Sequence, residues 1–222
     1  MRIILVLALF LFVGLCPDAQ CQTEPAKEQA ANEAKGMPPR AAPTDYQVQH
    51  KVGAVTIAAD FDGHGVPTLE GTYSSEDYVI VEVGIFGEAG SHLKLSIEDF
   101  SLKINDKKQP LTSQAFGYVA KSLKDPEWQP PEGEKTEKSK TGINTGGGGG
   151  GDNTPPPPPK MPFELRRAME LRVKKGVLPE GDRALPVAGF IFFQYRSKTQ
   201  SIKQMELIYE GPAGTLSMPM QP

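Results

Sequence analysis

Two aspartates in the first third of the chain have the spacing of calcium ligands. Asp60 and Asp62 open the hexapeptide DFDGHG at 60–65, which places acids at positions 1 and 3 and glycine at position 6 of a calcium loop. Position 5, however, is His64, a poor ligand for a hard cation, and position 12 is Gly71 where the loop needs glutamate. A tight turn at the end of a strand explains the same residues. We therefore predict no metal site, with Asp60 and Asp62 as the candidates that fit best.

The other residues that could do chemistry form no catalytic or cofactor-binding pattern. The histidines at 50, 64 and 92 are too scattered for a zinc site. The sequence has no Gly-x-Ser-x-Gly motif, and the glycines at 146–151 are not followed by the Gly-Lys-Ser/Thr of a phosphate loop. The net charge of −3 is near neutral, whereas nucleic-acid binding needs a basic stripe. We predict no catalytic residue, no cofactor and no nucleic-acid partner.

The first 21 residues have the pattern of a secretory signal peptide. Arg2 precedes an apolar run at 3–15, and Ala19 and Cys21 are small residues at the two positions that signal peptidase inspects. About 13 residues at ~1.5 Å each cannot cross a ~30 Å hydrocarbon core. We expect cleavage before Gln22, an exported location in the periplasm or outside the cell, and no transmembrane segment in the mature chain.

The two cysteines, Cys16 and Cys21, leave an alternative open. Either could be acylated as in a lipoprotein, although Leu15 and Gln20 stand where that processing normally needs a small side chain. If both cysteines leave with the signal peptide, the mature chain has no thiol and no disulfide, and its core alone must hold the fold. The lipid-anchored protein is the second hypothesis for localisation.

Two segments are predicted to be disordered. Residues 22–47 are rich in Ala, Glu, Lys, Gln and Pro and cannot bury enough surface to offset their ordering entropy, so we interpret them as a tether. A low-complexity insertion at about 129–161 contains six glycines and then five prolines. Because neither flank of this insertion has enough strands to close a β core, we predict that residues 48–222 form one interrupted domain.

Period-two alternation of apolar residues predicts about seven strands, four before the insertion and three after it. Two runs are apolar on both faces, which is typical of central strands. Helical spacing predicts one helix over 116–123 and a basic amphipathic helix over 163–175. The second helix could lie on an anionic membrane, but we prefer a helix that covers one end of the β structure. The predicted strands are 55–61, 78–86, 93–97, 100–104, 187–195, 205–209 and 216–220.

Seven short strands with regularly spaced turns predict a mainly β fold, an antiparallel immunoglobulin-like β-sandwich with one or two short helices. The segments at 81–83, 99–105, 189–193 and 205–209 carry a further similarity. Their layout resembles that of secreted bacterial telokin-like immunoglobulin-fold domains, within a group of exported bacterial proteins of unknown function. The resemblance covers about half of the chain. It implies the fold and an exported location, and it brings no catalytic residues.

These observations predict a non-enzymatic, exported module that binds another protein or a cell-envelope component. One alternative is a structural lipoprotein anchored to the envelope through Cys16 or Cys21. The other alternative is a hydrolase that uses a pair of carboxylates. A cleft with two carboxylates about 5–10 Å apart would favour the hydrolase.

Overall fold

A computed structural model describes residues 35–105, 107–130 and 160–222, so the predicted signal peptide, both cysteines and most of the predicted insertion lie outside the described residues. The helices are α1 (Phe116–Val119), which continues into a 3-10 turn, and α2 (Phe163–Gly176). The strands are β1 (Val48–Val52), β2 (Val55–Gly63), β3 (Gly65–Thr68), β4 (Gly71–Ser75), β5 (Tyr78–Phe86), β6 (His92–Leu95), β7 (Phe100–Ile104), β8 (Leu111–Gln114), β9 (Leu123–Lys124), β10 (Gly181–Ala184), β11 (Val187–Gln194), β12 (Met205–Gly211) and β13 (Gly214–Met220).

Eight of the strands form one antiparallel sheet in the order β1-β2-β5-β11-β8-β7-β12-β13. The sheet curls until its edges approach, and Gln47 Nε2 donates a hydrogen bond to the carbonyl oxygen of Gln221 at 2.9 Å. Two small sheets, β10-β6 and β3-β4-β9, complete the β structure. The predicted mainly β, antiparallel fold is confirmed, but the main sheet is nearly closed and has eight strands where we expected a seven-stranded sandwich.

The difference in strand count comes from three strands. Strands β1 and β8 belong to the main sheet, but their sequences, VQHKV and LTSQ, have too few apolar residues to alternate visibly. Strand β6 does alternate, yet it pairs only with β10 in a separate ribbon. Alternation reports which side of a strand is buried, and it does not report which strand lies beside it.

Strands from both sides of the segment at 131–159 share the main sheet. Strand β11 pairs with β5 over its whole length and with β8 at one end, and β12 pairs with β7. Strands β5 and β11 are rich in valine, isoleucine and phenylalanine, which suit a sheet buried on both faces. Their predicted central position is confirmed. The predicted domain boundaries stay predictions.

The two faces of β5 and β11 contact different apolar clusters. One face lies inside the curled sheet, where Val81, Val83, Ile191 and Phe193 pack against β7, β12 and β13. The opposite face is covered by α2 and the β3-β4-β9 sheet. The residues of this second cluster are Val66, Tyr73, Tyr78, Ile80, Val119, Leu123, Met169, Val173, Val177, Phe190 and Phe192.

Helix α2 spans the residues that the sequence predicts, but it covers a face of the main sheet where we expected it to cover an end of the β structure. It starts directly after Pro162 and is built from good helix formers. Met169 and Val173, four residues apart, form its buried face. Among the described residues, no helix is both long and apolar enough to cross a membrane.

The last part of the segment predicted as a tether contacts the main sheet. Within its last part, Met37 N donates a hydrogen bond to Ala188 O at 2.8 Å, and Tyr46 is only 6% exposed. Residues 35–47 therefore pack along the main sheet. The average composition of the segment does not show these contacts, because Met37 and Tyr46 alone barely change the mean hydropathy of a polar stretch.

Candidate functional site

Three carboxylates lie together on β2 and β5. Asp60 of β2 is the register partner of Glu82 of β5. Between Phe61 and Gly63 the register shifts, so Asp62 is the extra residue of a β-bulge. A bulge redirects the side chain that it carries. We call Asp60, Asp62 and Glu82 the carboxylate cluster.

Arg40 compensates two of the three carboxylates. Its Nη2 atom contacts Asp60 Oδ2 and lies 2.9 Å from Glu82 Oε2. Glu82 is 4% exposed, and a buried carboxylate without a cationic partner would cost several kcal/mol. Burial alone would lower the pKa of Arg40, but the hydrogen bonds and negative charges of Glu82 and Asp60 outweigh it and raise that pKa. Arg40 therefore stays charged.

Tyr46 holds Arg40 over the sheet. The guanidinium lies 4.4 Å from the centroid of the Tyr46 ring, and Arg40 Nη1 donates to the carbonyl oxygen of Asp45. The ring can approach β5 because residue 84 is glycine. A Cβ atom at Gly84 would lie 2.6 Å from Tyr46 Cζ, far inside van der Waals contact. Gly84 thus makes room for the side chain that positions Arg40.

Asp62 is the carboxylate that Arg40 does not bind. Its Oδ2 atom is buried and has no hydrogen-bond partner among the described residues. Burial, followed by the charges of Glu82 and Asp60, raises the pKa of Asp62 to about 7, against the opposing charge of Arg40. A carboxyl group with such a pKa can exchange a proton near neutral pH. Catalysis would also need substrate to reach it, and Oδ2, the oxygen without a partner, is buried.

The residues of the suggested calcium loop do not form one. Strand β2 continues through Gly63, so Asp60 and Asp62 lie in a strand and its bulge. Asp60 accepts a hydrogen bond from Gln47 N in addition to its contact with Arg40. In the part of the chain that the structure describes, no group of three or more His, Cys, Asp or Glu side chains could hold a metal ion.

His64 is held by the main chain. Its Nδ1 atom lies 2.8 Å from the carbonyl oxygens of Ser75 and Tyr78, and its Nε2 atom lies 3.0 Å from that of Ser197. These contacts tie the β2–β3 junction to two other loops. Both ring nitrogens are occupied by carbonyl oxygens, so His64 has a structural role.

A cavity of about 360 Å³ lies between residues 36–38, the β3–β4 turn and the end of α2. We call it the apolar groove. Its charged lining residues are Glu70, Arg172 and Lys175. Its apolar lining comes from Met37, Pro38, Pro67, Leu69, Gly176 and Phe190.

The shape of the apolar groove depends on a close approach between α2 and β11. A Cβ atom at Gly176 would lie 2.9 Å from the Phe190 ring and 3.5 Å from Met37 Cγ. Glycine at the end of the helix therefore lets α2 pack closely on this ring, which is only 1% exposed. At the lip, Leu69 is 99% exposed. A large apolar side chain that stands in water beside an apolar cavity marks a surface that gains free energy when a ligand covers it.

The charges of the groove are unevenly compensated. Arg172 forms an ion pair with Glu70, and its Nη1 atom donates to the Tyr73 hydroxyl at 2.9 Å. Lys175 is exposed and makes no ion pair with any residue that the structure describes. Helix α2 carries five basic and two acidic side chains. The groove therefore has a positive charge at its helical side.

Sequence reasoning did not find Arg40, Glu82 or the groove. For Glu82 a signal existed, since it is the one charged residue in the apolar strand YVIVEVGIF. A charge buried on a strand must find a partner. Arg40 and Leu69 stand in polar, turn-like sequence and offered no such signal.

Comparison with known proteins identifies no relative, since no family model, no curated protein and no solved structure matches this chain. The resemblance to telokin-like domains and to a group of exported proteins stays a prediction.

Proposed function

We propose that this chain is an exported, non-enzymatic binding module whose apolar groove holds an apolar group of another protein or of a cell-envelope component. The observation that carries the proposal is the fully exposed Leu69 at the lip of a 360 Å³ apolar cavity. The proposal also includes an immunoglobulin-like fold. That interpretation and the exported location rest on the sequence patterns.

The dimensions and chemistry of the groove suit a ligand. Small-molecule sites usually occupy about 300–1,000 Å³ and combine apolar walls with a few polar groups. This groove has proline, methionine and phenylalanine walls and three charged side chains at its rim. Full burial of one leucine side chain contributes about 2 kcal/mol, which corresponds to more than tenfold in affinity.

The carboxylate cluster gives less support to the hydrolase alternative. Asp60 and Glu82 are both bound by Arg40, so neither is free to activate water. The uncompensated oxygen of Asp62 is buried. Neither the apolar groove nor the small cavity beside Lys103 and Asn105 is lined by these carboxylates.

Titration with the neutral apolar fluorophore N-phenyl-1-naphthylamine tests the proposal, with methyl NMR spectra to locate the probe. We expect saturable shifts of the Met37 and Leu69 methyl signals. Leu69→Ser should weaken binding about tenfold, because the serine loses most of the apolar contact that the leucine makes with the probe. The matched control is Leu165→Ser, since Leu165 is 52% exposed on α2 but does not line the groove.

Both variants should keep the wild-type unfolding midpoint, because both leucines are exposed. The proposal is wrong if the methyl shifts map to another surface, or if the two variants weaken binding equally.

A further inference from the structure

We infer that the apolar groove takes a free single-chain amphiphile with one anionic head group, its tail against Met37, Pro38 and Pro67 and its head at Lys175. This inference rests on the proposed binding role of the groove and specifies the ligand class. It follows from the charge balance, the volume and the concave form of the site.

Charge balance selects an anion. Glu70 and Arg172 compensate each other across the groove, so neither leaves a net charge for a ligand. Lys175 contributes a positive charge that no described residue compensates, and it stands in the last turn of α2. The excess of basic over acidic side chains on α2 adds to this positive field. A carboxylate at the groove mouth meets favourable charge, whereas an ammonium meets repulsion.

Volume limits the tail to one chain. The cavity volume of about 360 Å³ lies near the lower end of the ~300–1,000 Å³ that small-molecule sites usually occupy. This is about the size of one medium acyl chain and much less than the two chains of a phospholipid. Leu69 at the lip can then fold over the part of the chain that leaves the cavity.

The concave form favours a free ligand over a bilayer surface. Residues 36–38, the β3–β4 turn and the end of α2 surround the cavity on three sides. Phe190 on β11 forms its floor. Such a half-open recess holds a single molecule, whereas a bilayer is contacted by a flat or convex surface. We therefore commit to a ligand that is bound from free solution.

Calorimetric titration with laurate below its critical micelle concentration tests the inference, with dodecanol as the neutral probe of equal chain length. We expect the wild-type chain to bind laurate about fivefold more tightly than dodecanol, as one exposed ion pair allows. Lys175→Gln should abolish this preference, so that the ratio of the two affinities falls to about one.

The matched control is Lys174→Gln. Lys174 is the neighbouring lysine of the same helical turn and does not line the groove. The preference for laurate should survive this substitution. Equal effects of the two lysine variants, or equal binding of laurate and dodecanol by the wild type, would overturn the anionic assignment.

Other outcomes separate this inference from the proposed function. If laurate and dodecanol bind with equal affinity beside Leu69, the proposed binding role stands and the anionic head group is wrong. If neither laurate nor dodecanol binds, both the proposed binding role and the inferred ligand class are wrong. Binding to phosphatidylglycerol vesicles without laurate binding would assign the surface to a membrane. If the wild-type protein has the mass of a dimer and Leu69→Ser has the mass of a monomer, the groove would be an interface with a second copy. Either of these last two results overturns the inference.

Discussion

The carboxylate cluster and the apolar groove lie side by side on the same sheet, yet they differ in how their side chains are compensated. The cluster buries charged groups with a partner, whereas the groove leaves apolar groups exposed to water. Asp60, Glu82 and Phe190 are register partners across β2, β5 and β11. At the carboxylate end of this row, Arg40 covers the polar groups and compensates their charge. At the other end, Phe190 is buried, and the half-buried Met37 and the exposed Leu69 leave apolar surface open to water.

This difference shows where binding is expected. A compensated charge cluster has little to offer a ligand, because each new contact must first break an internal one. An open apolar cavity loses nothing when it is covered. One segment serves both regions, since Met37 lines the groove and Arg40 closes the cluster. The two regions can nevertheless be separated by substitution.

The largest effect is expected for Arg40→Met. This substitution leaves Glu82 buried without its cation and should lower the free energy of unfolding by about 3 kcal/mol, measured by urea denaturation at pH 7. Arg166→Met removes an exposed ion pair of α2 and should change it by less than about 0.5 kcal/mol. Adding Glu82→Gln to Arg40→Met should recover part of the loss. Equal effects of both arginine variants would contradict the compensation of the cluster by Arg40.

The second effect is a pH dependence that originates in Asp62. Its folded-state pKa of about 7 lies above the ordinary value of 3.8, so the folded chain binds this proton more tightly than the unfolded chain does. The contribution is complete below about pH 4 and is lost as the pH rises through 7. Between about pH 5 and pH 8 the free energy of unfolding should therefore fall by on the order of 2 kcal/mol, a value that allows for partial exposure of the Asp62 side chain.

Asp62→Asn should remove this part of the pH dependence, as measured by unfolding at both pH values. Glu88→Gln is the control, because that glutamate is exposed and forms no ion pair with any residue that the structure describes. If the Asp62 variant kept the full wild-type dependence, the raised pKa would have to belong to another group. Ligand binding at the groove should not follow the same titration, since Asp62 does not line it.

The smallest effect is expected for Glu70→Gln in the groove. Glu70 is the one acid that lines the groove, and its partner Arg172 is solvent-exposed, so the unfolding midpoint should not change measurably. Freed from its partner, Arg172 should strengthen laurate binding about twofold while dodecanol binding stays constant. Weaker laurate binding in this variant would show that the Glu70–Arg172 pair shapes the site and that its charge does not matter.

Much of the secondary structure was predictable, because it depends on local period. The alternation of β5 and β11 and the four-residue spacing of Met169 and Val173 are visible along the chain. The strands β1 and β8 were missed because pairing, not local apolarity, makes them strands. Asp60 and Asp62 were noticed for their spacing, but their partners could not be identified from sequence.

The sequence by itself determined which residues alternate and which stretch is helical after Pro162, because backbone geometry imposes those periods over a few residues. Only the tertiary structure decided that Arg40 meets Glu82, 42 residues away, and that Leu69 stands at the lip of a cavity beside Phe190. Such meetings depend on strand order and on packing between distant segments. Charge compensation and open apolar surface are properties of these meetings, and no single segment carries them.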